Sequence, residues 1–126
     1  MKVSEVMSQA MVIDYALDLR GAAKMMSKNK RETLIIVSGN KIMGILTERD
    51  ILSHISSLNL EVGEVMTKKI VSISPEKTLE QAMELMIKNN IKNLPVIENK
   101  KLVGLIKLSD IVGQIEKEDN GDFIIE

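Results

Sequence analysis

A mixed α/β fold is what this sequence predicts: two tandem β-α-β-β-α repeats with pseudo-twofold symmetry, sheets packed together and helices outside. Three observations predict it. Residues 19–52 lie over residues 79–112 without a gap and agree at Leu19/Leu79, Ala22/Ala82, Met26/Met86, Lys28/Lys88, Asn29/Asn89, Leu34/Leu94, Lys41/Lys101, Gly44/Gly104, Asp50/Asp110 and Ile51/Ile111. A lead-in recurs as well, VSEVM at 3–7 and VGEVM at 62–66, one residue out of step with the longer match. Within each copy the apolar residues pass from helical spacing to nearly continuous runs, the change expected between helix and buried strand. A unit this small cannot bury its own core, so two copies imply one pseudo-twofold object with paired clefts where they meet.

The elements follow in the same order in each copy. Met11-Val12-Ile13 and Ile70-Val71-Ser72-Ile73 are short apolar stretches. A helix follows at about 19–29 and 79–89, entered through Asp18 and Thr78, both good N-caps. Leu79, Ala82, Met83 and Met86 fall at helical spacing. Two apolar runs then flank a polar turn, TLIIVS/Gly39-Asn40/KIMGILT and NLPVIE/Asn99-Lys100/KLVGLIK, which predicts a β-hairpin in each copy. A closing helix is expected at about 48–57 and 108–116. The hairpin strands are apolar at nearly every residue, so both faces should be covered, helices on one side and the opposite repeat on the other. Repeat 1 is placed at 1–58 and repeat 2 at 59–116. Residues 117–126 form a tail in which EDNGD reads as a loop and Phe123 begins a small apolar end.

Composition narrows the function classes. The chain has 126 residues, 44% hydrophobic but only 2% aromatic, with nine Met and no Trp. The core is therefore Leu, Ile, Val and Met, and no platform for stacking bases is expected. A net charge of −1 argues against nucleic acid or an anionic membrane as the general partner. With no cysteine, thiol catalysis and cysteine metal sites are absent. His54 is the single histidine and has no second ligand residue beside it, which argues against a metal or general-base role. MKVSEVMSQ lacks the pattern of a secretory leader, and no apolar run approaches the roughly 20 residues of a membrane span. A cytoplasmic protein that is not an enzyme, with no required cofactor and no metal, is the expectation.

The segment Gly44-Ile45-Leu46-Thr47-Glu48-Arg49-Asp50 carries the most chemistry. It leaves a buried strand and enters a helix, whose free amide hydrogens favour a phosphate. The Thr47 hydroxyl can donate to a phosphate oxygen, Arg49 can add a charge-assisted contact, and Asp50 offers two acceptor oxygens to a ribose diol. The same Thr-x-x-Asp spacing also reads as a helix capping box, which needs no ligand. Gly44 and Gly104 interrupt buried strands and suggest close approach of something, either a ligand or a partner sheet. Ile51, Leu52, Ile55 and Leu58, matched by Ile111, Val112 and Ile115, make an apolar stripe on each closing helix, suited to the core or to a second subunit.

The ordered set of VxEVM lead-in, SISPEKTLEQA, NLPVIE and the closing GILTERD and GLIKLSD segments, occurring twice in register over about 3–116, resembles the CBS-domain family. The resemblance implies paired β-α-β-β-α units that often associate into a disc-shaped homodimer. It also implies a stand-alone sensor for adenosine-containing ligands such as AMP, ADP, ATP, NAD or S-adenosylmethionine, acting on an unknown regulated protein. It builds each cleft from both repeats. The main cleft would join Thr47, Arg49 and Asp50 to Ser72, Ile73, Asn93, Leu94 and Pro95. A weaker one would join Lys107, Ser109 and Asp110 to Val12, Ile13, Arg31, Thr33 and Leu34. In the weaker cleft Lys107 replaces the family's Ser or Thr, Val12 lacks a hydroxyl and Ile35 stands where Pro95 stands in the other copy. The competing function is a structural dimerisation and protein-docking module whose nucleotide clefts are vestigial.

Overall fold

The structure, a computed structural model, describes residues 1–120 and the side chains of residues 1–116. The elements run β1 (Val12–Asp14), α1 (Leu19–Asn29), β2 (Thr33–Ser38), β3 (Lys41–Thr47), α2 (Glu48–Ser53), α3 (Val62–Val65), α4 (Leu79–Asn89), β4 (Asn93–Glu98), β5 (Lys101–Lys107) and α5 (Leu108–Asn120), after a single 3-10 turn at Val3–Glu5. The chain forms two compact units. One is Ala10–Ile70; the other joins Met1–Gln9 to the chain from Val71 onward. Each unit therefore takes the lead-in of the other copy: α3 precedes repeat 2 in sequence but belongs to the unit of repeat 1.

In the 10–70 unit, β1 pairs parallel to β2 and β2 antiparallel to β3. The Asp18 side chain accepts from Gly21 N–H at 2.7 Å, the N-cap expected of it. Helix α1 ends at Lys30, whose φ of 54° is left-handed. The amphipathic face of α1 sets Leu19, Ala22 and Met26 against Leu34 and Ile36 of β2, Leu46 of β3 and Ile51 of α2. Val62 of the borrowed lead-in completes this core, held by Val62 N–H to Leu17 O at 2.7 Å and Gly63 N–H to Tyr15 O at 3.0 Å.

The other unit repeats this plan nearly position for position. Leu79, Ala82, Met86, Leu94, Val96, Ile106 and Ile111 form its core with Val3 of the N-terminal lead-in. Val3 N–H donates to Lys77 O at 2.8 Å and Ser4 N–H to Pro75 O at 3.0 Å. Lys2 Nζ meets the Glu76 carboxylate at 2.8 Å, and that hydrogen bond and charge raise the Lys2 ammonium pKa above its usual 10.5. Thr78 and Gln81 form a reciprocal capping box on α4. The β4–β5 turn takes positive φ at Asn99 (51°) and Lys100 (65°), the requirement of a two-residue type I′ hairpin.

The lead-ins explain both strand glycines. A Cβ at Gly44 would lie 2.6 Å from Met66 Sδ and 2.7 Å from Thr67 O; one at Gly104 would lie 2.8 Å from Met7 Sδ and 3.0 Å from Ser8 O. The lead-in bonds both ways to the strand beside each glycine: Ile45 with Thr67, and Leu105 with Ser8. The close approach expected at these glycines is therefore the chain's own, and neither a ligand nor a partner sheet is needed to explain it.

Three expectations change. The first strand of repeat 2 shrinks to a single parallel bridge, Ile73 to Val96. Ile35 N–H donates to Met11 O at 2.8 Å in repeat 1, but Pro95 occupies the matching place and has no N–H to give. Helix α2 stops at Ser53 rather than near 57. The His54 ring Nδ1 lies 2.8 Å from Asp50 O, and His54 N–H turns to Ile51 O at 3.0 Å, so the helical ladder ends there. Helix α5 runs to Asn120, into the stretch expected as a loop, because Glu and Lys continue a helix readily. The apolar end at Phe123 lies outside the described residues.

Candidate functional site

The closing motif of repeat 1 sits where β3 becomes α2. Thr47 is the last residue of β3 and the N-cap of α2, and Asp50 is the third helical residue. Asp50 Oδ2 accepts from Thr47 N–H at 2.9 Å and from the Thr47 hydroxyl at 3.2 Å. The capping-box reading of Thr-x-x-Asp is therefore realised. It does not exhaust the carboxylate, since both bonds fall on Oδ2 and neither uses Oδ1. The cap fixes the direction of Asp50 and leaves an acceptor oxygen for another donor. Arg49 is exposed beside it.

Strand register sets Thr33 directly across from Thr47. Thr33 is 4% exposed, and its hydroxyl oxygen is buried without a hydrogen-bond partner. A buried hydroxyl left unmatched costs about 1–3 kcal/mol, so this atom marks a place where a polar group is wanted. Val12 is 47% exposed at the start of β1, and Arg31 follows the end of α1.

The matching corner of repeat 2 differs in chemistry. Lys107 ends β5 opposite Asn93, and its ammonium stands 3.8 Å from Asp110 Oδ2. That pair is about one-third exposed on each side, a weak ion pair in place of the tight Thr47–Asp50 contact. Ser109 is exposed next to it. Ser72 and Ile73 line an open groove of about 330 Å³ with Ser74, Lys77, Gln81, Glu84, Leu85 and Lys88. The α4 residues of this groove had a visible signal: Gln81, Glu84, Leu85 and Lys88 fall at i, i+3, i+4 and i+7, one helical stripe, with Ser72 and Ile73 ahead of it in sequence.

Alternation along the strands sorts the remaining expected residues. Ile13, Leu34 and Leu94 turn their side chains into the helix-facing cores, and Ile73 packs into the same kind of core while bordering the open groove. Thr33 and Ile35 on β2, and Asn93 and Pro95 on β4, alternate onto the opposite face, where Thr33, Ile35 and Pro95 are buried. Strands covered on both faces are what the unbroken apolar runs predicted. Among the described residues no group of three or more His, Cys, Asp or Glu is arranged to hold a metal ion, and no helix is long and apolar enough to cross a membrane.

The comparisons with known proteins agree with this geometry. The CBS domain family model matches twice, at residues 3–57 and 62–117. The chain is 34% identical over 107 residues to "CBS domain-containing protein CBSX3, mitochondrial" of Arabidopsis thaliana, covering 77% of this chain and 52% of that relative, so it spans about half the relative's length. Its fold superimposes at a TM-score of 0.87 on the CBS domain pair of protein MJ0100 in complex with 5′-methylthioadenosine and S-adenosylmethionine, at 23% identity, covering 94% of this chain and 98% of that one. A hexameric CBS-CP12 protein from bloom-forming cyanobacteria matches at a TM-score of 0.83 and 28% identity, over 94% of this chain and 74% of that one. With both repeats matched over nearly the whole sequence, the chain belongs to the CBS-domain family.

Proposed function

We propose that this protein is a non-enzymatic regulatory module that binds an adenosine-containing ligand and signals its presence to a partner protein. The observation that carries the reading is the Asp50 carboxylate, aimed by Thr47 through one oxygen and open at the other, the arrangement a vicinal ribose diol would use. The ligand-binding residues are proposed as Thr47, Arg49 and Asp50 of repeat 1 with Ser72, Ile73, Asn93, Leu94 and Pro95 of repeat 2. A second, weaker set is proposed around Asp110, with Lys107, Ser109, Val12, Ile13, Arg31, Leu34 and the unpaired Thr33 hydroxyl. The adenosyl ligands in the MJ0100 pair support the ligand class. A cysteine-free chain suits the cytoplasm, the location this reading assumes.

The same reading includes a homodimer through the CBS helices. Leu52 is 68% exposed and Ile55 60% in one unit, and Ile87 72% in the other, apolar surface that a second subunit would cover. The hexameric relative supports self-association. Binding would become a signal by favouring one arrangement of subunits over another, a coupling of about 1–3 kcal/mol in typical cases.

Thermal unfolding against AMP, ADP, ATP, NAD, S-adenosylmethionine, GTP and 2′-deoxy counterparts tests the ligand class. A ligand at 100 times its dissociation constant stabilises by about 2.7 kcal/mol, a shift of several degrees at this size. Selective stabilisation by adenine ribonucleotides is the expected result. No shift with any of them would favour the docking module with vestigial clefts.

A further inference from the structure

Both lead-ins end in methionine: VSEVM closes on Met7 and VGEVM on Met66. Each places its sulfur against a buried strand glycine of the unit that receives it, Met66 Sδ at Gly44 and Met7 Sδ at Gly104. Both methionines are themselves partly exposed, so solvent reaches the residue whose sulfur makes the contact. A backbone carbonyl crowds the same point in each case, Thr67 O beside Gly44 and Ser8 O beside Gly104. These carbonyls accept from Ile45 N–H at 3.0 Å and from Leu105 N–H at 2.8 Å. The strand side of each lead-in rests on that single bridge, Ile45–Thr67 or Leu105–Ser8. What sulfur adds to an apolar contact is chemistry, because a thioether takes up one oxygen from a peroxide.

We infer that Met66 and Met7 are oxidation sites at which a peroxide releases the lead-ins from their strands. The sulfur lone pair attacks one peroxide oxygen, and the S–O bond forms as the O–O bond breaks. The proton of the transferred hydroxyl passes to the leaving oxygen, which departs as water or an alcohol. Sulfur loses two electrons and the peroxide gains them. The new sulfoxide oxygen is an acceptor only. At either glycine it meets a buried backbone with no room for a Cβ and a carbonyl oxygen that cannot donate to it. The oxidised side chain is better solvated outside, and the lead-in leaves with it. The chain passes from one compact unit to the other twice, after Gln9 and after Ile70, and each lead-in lies just before one of these crossings. Release of a lead-in therefore slackens one of the two straps between the units. Met26 and Met86, 4% and 1% exposed, are shielded in the cores. This inference is independent of the ligand reading.

Hydrogen peroxide is the probe, applied to the intact folded chain at the dose that fully oxidises the exposed Met1. Peptide mass mapping locates the added oxygens, and amide exchange at Ile45 and Leu105 reports whether each lead-in has left. Met66 and Met7 should carry oxygen while Met26 and Met86 do not, and both amides should exchange faster by about tenfold or more. Treatment with the two methionine sulfoxide reductases should return both amides to slow exchange. Met66→Leu should keep Ile45 slow under peroxide while Leu105 still quickens, and Met7→Leu should do the reverse. The reductase arm uses the wild-type chain and stands even where a variant fails to fold. Met66 and Met7 left unoxidised at that dose would overturn the proposal. So would oxidised lead-ins with both amides still slow, or an Ile45 amide that quickens equally in the Met66→Leu protein.

Discussion

The two repeat units share a plan but differ at the corner where each was expected to bind. Repeat 1 has a three-stranded sheet, a tight Thr47–Asp50 cap and a buried, unpaired Thr33 hydroxyl. Repeat 2 has a two-stranded sheet, a loose Lys107–Asp110 pair and Asn93 in place of Thr33. The cores hardly differ: Leu19, Ala22, Met26, Leu34 and Ile51 of one unit are Leu79, Ala82, Met86, Leu94 and Ile111 of the other. Packing has held the interior of the two copies together while single substitutions at the strand ends separated their chemistry. Two imino acids account for the shortened strand: Pro95 lacks the donor that Ile35 gives to Met11 O, and Pro75 the donor that Tyr15 gives to Val37 O.

The largest effect should come from filling the glycine contacts. Gly44→Ala pushes a methyl against Met66 and the rigid Thr67 carbonyl, at a cost of about 3 kcal/mol in urea unfolding. Gly104→Ala meets mainly the flexible Met7 end and should cost about 1 kcal/mol less. Equal losses would break the claim that the borrowed lead-in of repeat 1 packs the tighter of the two.

Exchanging the strand residues should have the next largest effect. Ile35→Pro in the central strand removes the bond to Met11 O and should cost about 2–3 kcal/mol. Pro95→Ile supplies the missing N–H, and its amide should become slow to exchange with solvent as it bonds Val71 O. A fast-exchanging amide at 95 would show that Pro95 is not what shortens the strand.

The smallest effect lies at the helix ends. Lys30 and Asn90 both cap their helices in the left-handed region, at φ of 54° and 53°. Lysine resists this conformation more than asparagine does. Lys30→Gly should therefore stabilise by about 1 kcal/mol and Asn90→Gly by no more than a few tenths, read as shifts in the denaturation midpoint.

Much of this was legible in the sequence. The repeat, the element order, the Asp18 and Thr78 caps and the close approach at Gly44 and Gly104 follow from residue type and spacing. The shortened strand was legible too, because Pro95 was in plain view and a proline cannot donate. So was the fate of Ile13, Leu34, Ile73 and Leu94, since strand alternation sends one residue in two to the helix side. The exchange of lead-ins was not, because VSEVM and VGEVM are nearly alike and neither pattern names its host. Nor was the end of α2, decided by a ring-to-carbonyl contact of His54, nor the stranded hydroxyl of Thr33, which exists only once the chain has closed over it.

Asp50, and not Asp110, is the proposed principal anchor of an adenine ribonucleotide. Calorimetric titration of AMP, ATP, NAD and S-adenosylmethionine into the wild-type, Asp50→Asn and Asp110→Asn proteins tests it. A hydrogen bond to a charged group is worth about 1.5–3 kcal/mol, so Asp50→Asn should weaken the tightest ligand by roughly ten- to a hundredfold. Asp110→Asn should change that affinity by no more than about twofold, since Asp110 is assigned to the proposed second site. A loss confined to Asp110→Asn, or undiminished affinity in the Asp50 protein, would contradict the account.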